Sequence, residues 1–265
     1  MTRRWHDLCN GANERFKKTR MTLIITITLA FICSAETLPQ DIAKILAKAY
    51  QLKFENEWVR VTKVHYGPRE IIPEHAHTKF PVAYVYLNDS GPVIFRHKGW
   101  ERPELTRPPT KAGSFRLSPT AAVGEIHEVE NLADLPSDFL RVEFKTEPID
   151  RKSLAGRFYR EDYPANKNLQ KVEFENRQIR ITRSVCAPHN SLEVAASSSD
   201  PALLVILTAV RFRSTEGQNE VKQKTSDPGE TIWIVNGQKQ RLENPDDAPM
   251  ELLRFDFKTS PVKPK

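Results

Sequence analysis

Cysteine is nearly absent: there are three in 265 residues, and two of them, Cys9 and Cys33, fall within the first 35. Beyond that point only Cys186 remains, so no disulfide forms within that part of the chain and packing must hold it together. Cys186 ends a run that reads as a strand, where a small apolar core residue is expected. Long apolar runs are also scarce. Met21–Ala35 (MTLIITITLAFICSA) is shorter than the roughly 18–20 residues that a spanning helix needs. Charge of one sign is lacking once the N-terminus is set aside. The formal net charge is +6, but residues 1–35 carry six basic and two acidic residues, which leaves +2 for the remainder. No basic helix and no aromatic-interleaved basic stretch follows, which argues against nucleic acid or an anionic membrane surface as partner.

The apolar run sits behind Lys17, Lys18 and Arg20 and ends in small residues, with Cys33 and Ala35 at −3 and −1 of a cut after Ala35. That is the three-part pattern of a secretory signal. Residues 1–35 are therefore expected to be a signal peptide, with a periplasmic or secreted destination and no stable membrane span in the mature chain. Bulky Ile32 disfavours lipid attachment at Cys33. The first 20 residues are long for an n-region, which leaves open a start downstream of Met1.

After the leader, Leu38–Tyr50 places Ile42, Ile45, Leu46 and Tyr50 at helical spacing. Almost everything further reads as short strands broken by turn formers. Val59–Tyr66, Val82–Leu87, Gly113–Leu117 and Leu140–Phe144 are the clearest in the first half. The second half repeats them. Phe54-Glu55-Asn56 recurs as Phe174-Glu175-Asn176, Val59-Arg60-Val61-Thr62 as Ile179-Arg180-Ile181-Thr182, Leu140–Lys145 as Leu253–Lys258, and Asn131 as Asn244. Order and spacing kept over so long a stretch mark an internal duplication of one all-β unit. The expected division is 36–150 and 151–265, joined by the charged, turn-rich segment Thr146–Lys171.

Pro73-Glu74-His75-Ala76-His77 enters a strand, where residues two apart share a face, so His75 and His77 can meet at one point. His127, Val129 and Asn131 share parity on a later strand. Three neutral imidazoles converging in a barrel make a metal site with open positions. Gly67, the His-x-His at 75–77, Gly113 with five residues before Pro119, and His127 with three before Asn131 together resemble the two motifs of the cupin superfamily. The likeness spans 54–145 and, without the ligands, 174–258. It implies a bicupin: two tandem double-stranded β-helix (jelly-roll) barrels. It also implies one divalent transition metal (Fe, Zn, Mn, Ni or Cu) on His75, His77 and His127. Cupins usually place a Glu ligand four residues after the second His. That position is Pro81, so the ligand set here is three-His.

Glu74, Glu125 and Glu128 read as pointing away from the site, His65 as a core or rim residue, His97 as solvent-exposed and His189 as loop. In the second copy the ligand positions become Ala195, Ser197 and Gln240 by simple offset, while the Asn pair is kept. That pattern suits ligands lost together and a structural asparagine. Counting from Pro81, Ala83, Val85 and Leu87 read as interior, and no arginine clamp for a carboxylate is evident. Two functions follow from the resemblance. One is an exported three-His metalloenzyme of dioxygenase type acting on a small oxygen-bearing substrate. The other is a bicupin that binds a metal or small ligand without turnover. For the leader, mass spectrometry of the exported protein is expected to find Glu36 at the N-terminus; a mature chain retaining Met21–Ala35 would contradict the assignment.

Overall fold

The computed structural model describes residues 40–119, 125–147, 153–195, 199–216 and 222–262; the expected signal peptide lies outside them. Its one described helix, α1 (Gln40–Ala49), uses the apolar spacing noted above to bury Ala49, with Ile45 and Leu46, against the first barrel. Strands then follow: β1 (Tyr50–Glu55), β2 (Val59–Tyr66), β3 (Ile71–Ala76), β4 (Val82–Tyr86), β5 (Val93–His97), β6 (Glu104–Arg107), β7 (Phe115–Ser118), β8 (Ile126–Asn131), β9 (Ser137–Phe144) and β10 (Gly156–Phe158). They form two facing sheets in the orders β1-β2-β9-β4-β7-β10 and β3-β8-β5-β6. The second set is β11 (Leu169–Glu175), β12 (Ile179–Cys186), β13 (Asn190–Ala195), β14 (Ala202–Ile206), β15 (Val210–Glu216), β16 (Lys222–Ser226), β17 (Thr231–Ile234), β18 (Lys239–Asn244) and β19 (Met250–Phe257). Its sheets run β11-β12-β19-β14-β17 and β13-β18-β15-β16. Apart from β10, the second order repeats the first strand for strand, and two tandem jelly-roll barrels result.

The repetition extends to single hydrogen bonds. Both opening hairpins carry a bulge, at Leu52/Phe54 and at Val172/Phe174. Asn56 accepts the amides of Trp58 and Val59, as Asn176 accepts those of Gln178 and Ile179. Buried Asn131 donates to the carbonyls of Gly67 and Leu135, and Asn244 to those of Ala187 and Ala248. In each copy the buried amide ties two loop carbonyls on either side of it to one point, and is itself satisfied by them. Such bonds account for a structural asparagine in both copies.

The strand faces correct one expectation. Ala83 and Val85 point out of the barrel, not into it, and join Phe115, Leu140 and Val142 in a single core with Leu203, Val205 and Phe255 of the second barrel. The barrel interior takes the other parity: Val82, Tyr84, Tyr86 and Phe139, with Val64 and Val129. A strand buried on both faces shows no apolar–polar alternation from which to read its orientation.

The connector also differs from expectation. Its β10 pairs with β7, and Leu154 is buried in the shared core, so the division at 150/151 falls ahead of a strand that belongs to the first sheet. The C-terminal tail returns to the first barrel, where Val262 N–H donates to the Lys145 carbonyl at 2.7 Å. The two barrels therefore share one core. Leu140→Ala, at a fully buried position of that core, is expected to cost about 2–5 kcal/mol in denaturant unfolding.

Candidate metal centre

His75 owes its inward aim to a bulge. In the β3–β8 ladder Ile72 faces Val129, but the next pair is His75 with His127, one residue out of step. The second barrel has no such bulge: Leu192 faces Leu242 and Val194 faces Gln240. By register the counterpart of His75 is therefore buried Val194, not Ala195; Ser197 lies outside the described residues. Bulges re-aim side chains in this way. His77 lies just past β3, its amide bonded to the Glu125 carbonyl at 2.8 Å. The outcome is convergence of the three expected histidines: the His77 Nε2 is 3.1 Å from that of His75 and 3.2 Å from that of His127.

The tautomers follow from the partners. His75 Nδ1 lies 2.7 Å from the Pro73 carbonyl, which can only accept, so Nδ1 carries the proton and Nε2 a lone pair. His127 Nδ1 lies 3.1 Å from a Glu125 carboxylate oxygen, with the same consequence. The Nε2 of His75 meets the hydroxyl of Tyr50 at 2.7 Å, and Tyr50 in turn meets Tyr66 at 2.9 Å. The acceptor character of Nε2 makes Tyr50 the donor to it. Two lone pairs are thus pinned toward a third imidazole nitrogen close by. That donor set fits a divalent transition metal, and the outer hydrogen bonds are of the kind that fix metal-bound histidines.

Two residues depart from expectation. Glu125 does not point away: it lies two residues before His127 and shares its face by the same rule that joins His75 to His77. Its carboxylate also accepts from His97 Nε2 at 2.8 Å. His97 is not solvent-exposed; it is 3% exposed, opposite His127 in the β5–β8 ladder, and stacks on Trp100 at 3.8 Å. His97, Glu125 and His127 thereby form a second group with metal-ligand chemistry. One Glu125 oxygen is shared by both rings, which makes it an orienting acceptor. Glu74 and Glu128 do turn outward, to Lys98 and Arg96. His65 bonds Asp138, and exposed His189 bonds Asp247.

An arginine does enter the site. Arg141 lines both the inner cavity with His77 and His127 and an open cleft of about 220 Å³ with His75, His77 and Glu143. Its Nε donates to Glu143 at 2.8 Å and Nη1 to the Tyr84 hydroxyl at 3.1 Å, while Nη2 is buried without a partner. The Arg141–Glu143 pair recurs as Arg254–Asp256 in the second barrel, but Tyr84 does not: its counterpart is Leu204.

Burial lowers the pKa of His75 to about 4 and that of His77 well below its ordinary value. Burial alone would raise the Glu125 carboxyl, but the hydrogen bonds it accepts from His127 and His97 hold it well below the carboxylate range.

No family model matches the sequence, and no curated protein matches it. Solved structures do. The chain is similar to AerE from Microcystis aeruginosa, with 10% identity over 79% of this chain and 97% of that one, at a TM-score of 0.54. It is similar to a cupin 2 conserved barrel domain protein from Leptotrichia buccalis, with 14% identity over 79% and 88%, at 0.50. It is also similar to a serine-to-alanine mutant of Bacillus subtilis oxalate decarboxylase, with 12% identity over 78% and 71%, at 0.52. At these identities the likeness shows the fold alone, and that fold is the cupin barrel. Among the described residues, no helix is long and apolar enough to cross a membrane.

The half-buried neutral imidazoles of His75 and His77 set a pH dependence. The unfolded chain takes up protons below about 6.5, whereas folded His75 resists them down to about 4. The metal-free protein is therefore expected to keep full stability above pH 6.5 and to lose it on acidification toward pH 4, by up to about 1.4 kcal/mol per pH unit for each such histidine. Urea unfolding at a series of pH values checks this; a profile flat from pH 7 to 4 would contradict it.

Proposed function

We propose that the first barrel binds one divalent transition metal on His75, His77 and His127 and uses it to receive a small, oxygen-bearing anion. The observation that carries this reading is the meeting of Nε2 atoms whose opposite ring nitrogens are tied to Pro73 and Glu125. Such an ion supplies Lewis-acid polarisation and, if it is iron, electrons for chemistry with dioxygen.

The chain's own residues favour an anionic guest. Three neutral imidazoles leave the charge of a divalent ion uncompensated. Arg141, with one Nη unpartnered, lines the cleft through which a small molecule reaches His75 and His77. The half-buried Tyr50 hydroxyl, whose pKa burial and the neighbouring Tyr66 raise well above its ordinary value, stays protonated; its hydrogen bond goes to His75 Nε2 and is released toward a guest once an ion takes that lone pair. Oxidative cleavage of a small enolisable substrate is the reaction to test first. Export, resting on the pattern at 1–35, places the protein in the periplasm or outside the cell as part of the same proposal.

One observation favours a binder without turnover. Both carboxylates beside the histidines are already engaged, Glu125 by His97 and His127 and Glu143 by Arg141 and Thr78, so neither is free as a general base. The experiment that decides is elemental analysis of the purified full chain, without added metal or a His tag, followed by oxygen uptake with diketones, flavonoids, thiols and sugar acids. About one metal per chain is expected, and at least about a tenfold loss of occupancy in His75→Ala/His127→Ala. Wild-type protein without metal would overturn the proposal. Uptake equal to that of the double variant across the panel would leave the binder.

A further inference from the structure

Beyond the histidines, the first barrel carries a second cavity, of about 240 Å³, beside β6, β7 and β10. None of His75, His77 and His127 lines it. Its body is apolar and flat: Phe115 and Phe158 stack at 4.5 Å with their planes 8° apart, and Pro108 and Pro109 adjoin them. Its charge is one-sided. Arg107, Lys111, Arg116 and Arg157 line it, and no carboxylate does.

The two inner arginines have no ionic partner among the described residues. Arg107, 4% exposed, donates to the Ser90 and Ser137 hydroxyls, at 3.2 and 2.9 Å, and also bonds Tyr86, whose ring centre lies 5.2 Å away; all of these partners are neutral. Arg116 lies 4.5 Å from the centre of the Tyr84 ring. The Nε of each is buried and unpartnered. Elsewhere this chain neutralises buried guanidinium groups with carboxylates: Arg183, wholly buried, is held by Glu173 and Glu251, and Arg141 by Glu143. Two unneutralised cations sharing one wall are costly to bury unless an anion joins them.

The second barrel shows that the fold does not require them. Across β4 and β7, Tyr84 faces Arg116; at the matching place across β14 and β17, Leu204 faces Ile232. An apolar pair satisfies the same ladder, so Arg116 is there for something other than packing.

We propose that this cavity is a binding site for a small aromatic carboxylate, its ring against the Phe115–Phe158 wall and its carboxylate on Arg107 and Arg116. The volume lies below the roughly 300 Å³ at which drug-sized pockets begin, which suits a single ring. Flat aromatic walls select a flat body, and guanidinium groups pair readily with carboxylates. Arg107 and Arg116 also line the inner cavity with His77 and His127, so the two cavities share a cationic wall, and the ring-stacking face of Phe115 and Phe158 is what distinguishes this one.

The test is calorimetric titration of the full chain with benzoate, benzamide and acetate, with metal as purified and after chelation. Benzoate is expected to bind once per chain and at least about tenfold more tightly than benzamide, which lacks the charge, and than acetate, which lacks the ring. Arg116→Met should weaken benzoate at least about tenfold, the loss of a charge-assisted contact, and bring it level with benzamide. Phe158→Ala, at a half-buried position on β10, gives a second readout should Arg116→Met prove unstable: it should weaken benzoate and benzamide together. Affinity in His75→Ala/His127→Ala should match that of the wild type. Equal binding of benzoate and benzamide to the wild type would overturn the proposal, as would affinity unchanged in both cavity variants. Loss of benzoate binding in the histidine variant would place the anion at the metal and overturn it equally.

Discussion

The structure depends on one constraint: the central strands β4 and β9 of the first barrel's six-stranded sheet are buried on both faces. One face meets the second barrel in a common core that contains Val85, Leu140, Phe144, Val205 and Phe255. Each such side chain contributes roughly 1.5–3 kcal/mol on burial. Because side chains alternate along a strand, filling that face leaves every second residue of β4, β7 and β9 to the barrel interior, and this is how Tyr84, Arg116 and Arg141 come to line it. Close approach of the barrels needs glycine at matching turns. A Cβ on Gly113 (φ +78°) would lie 2.8 Å from Arg160 Cδ, and one on Gly229 (φ +96°) would lie 2.7 Å from Leu87 Cδ1. Across the same boundary Arg183 donates to the Gly113 carbonyl at 2.7 Å.

Much of this was legible in the sequence. β2 occupies the residues its alternation marks, and the histidine trio follows from strand parity plus the duplicated frame. What escaped did so for physical reasons. Ala83 and Val85 sit on a strand that is apolar throughout, so their direction depends on the neighbouring barrel. The bulge before His75 leaves no mark in composition; it shows only in the ladder, where it moves the equivalence from Ala195 to Val194. Glu125 stands at the spacing of two that should have placed it with His127. Arg141 was hidden by the duplication itself, because Leu-Arg-x-x-Phe-Lys occurs in both halves and reads as scaffold.

The two barrels act as an internal comparison. Their strand orders, hairpin bulges and asparagine bonds agree, while their interiors differ. Where the first has His75, Tyr84, Tyr86 and Arg116, the second has Val194, Leu204, Ile206 and Ile232, all part of or packed against a purely apolar cluster. The Arg141–Glu143 pair is common to both as Arg254–Asp256, but the other polar groups named are additions that a barrel of this design does without. Their cost in desolvation is the physical ground for seeking ligands there.

Sharing a core also ties the fates of the halves. A jelly roll that unfolded alone would strip the covering from a wide apolar sheet of its neighbour, and the departing strands would take with them β10 and the tail contact at Lys145. The duplication seen in the sequence is thus not a division in the thermodynamics. Heat or denaturant is expected to meet a single cooperative unit, with the barrel that lacks the histidine trio acting as a fixed wall that keeps the other from opening.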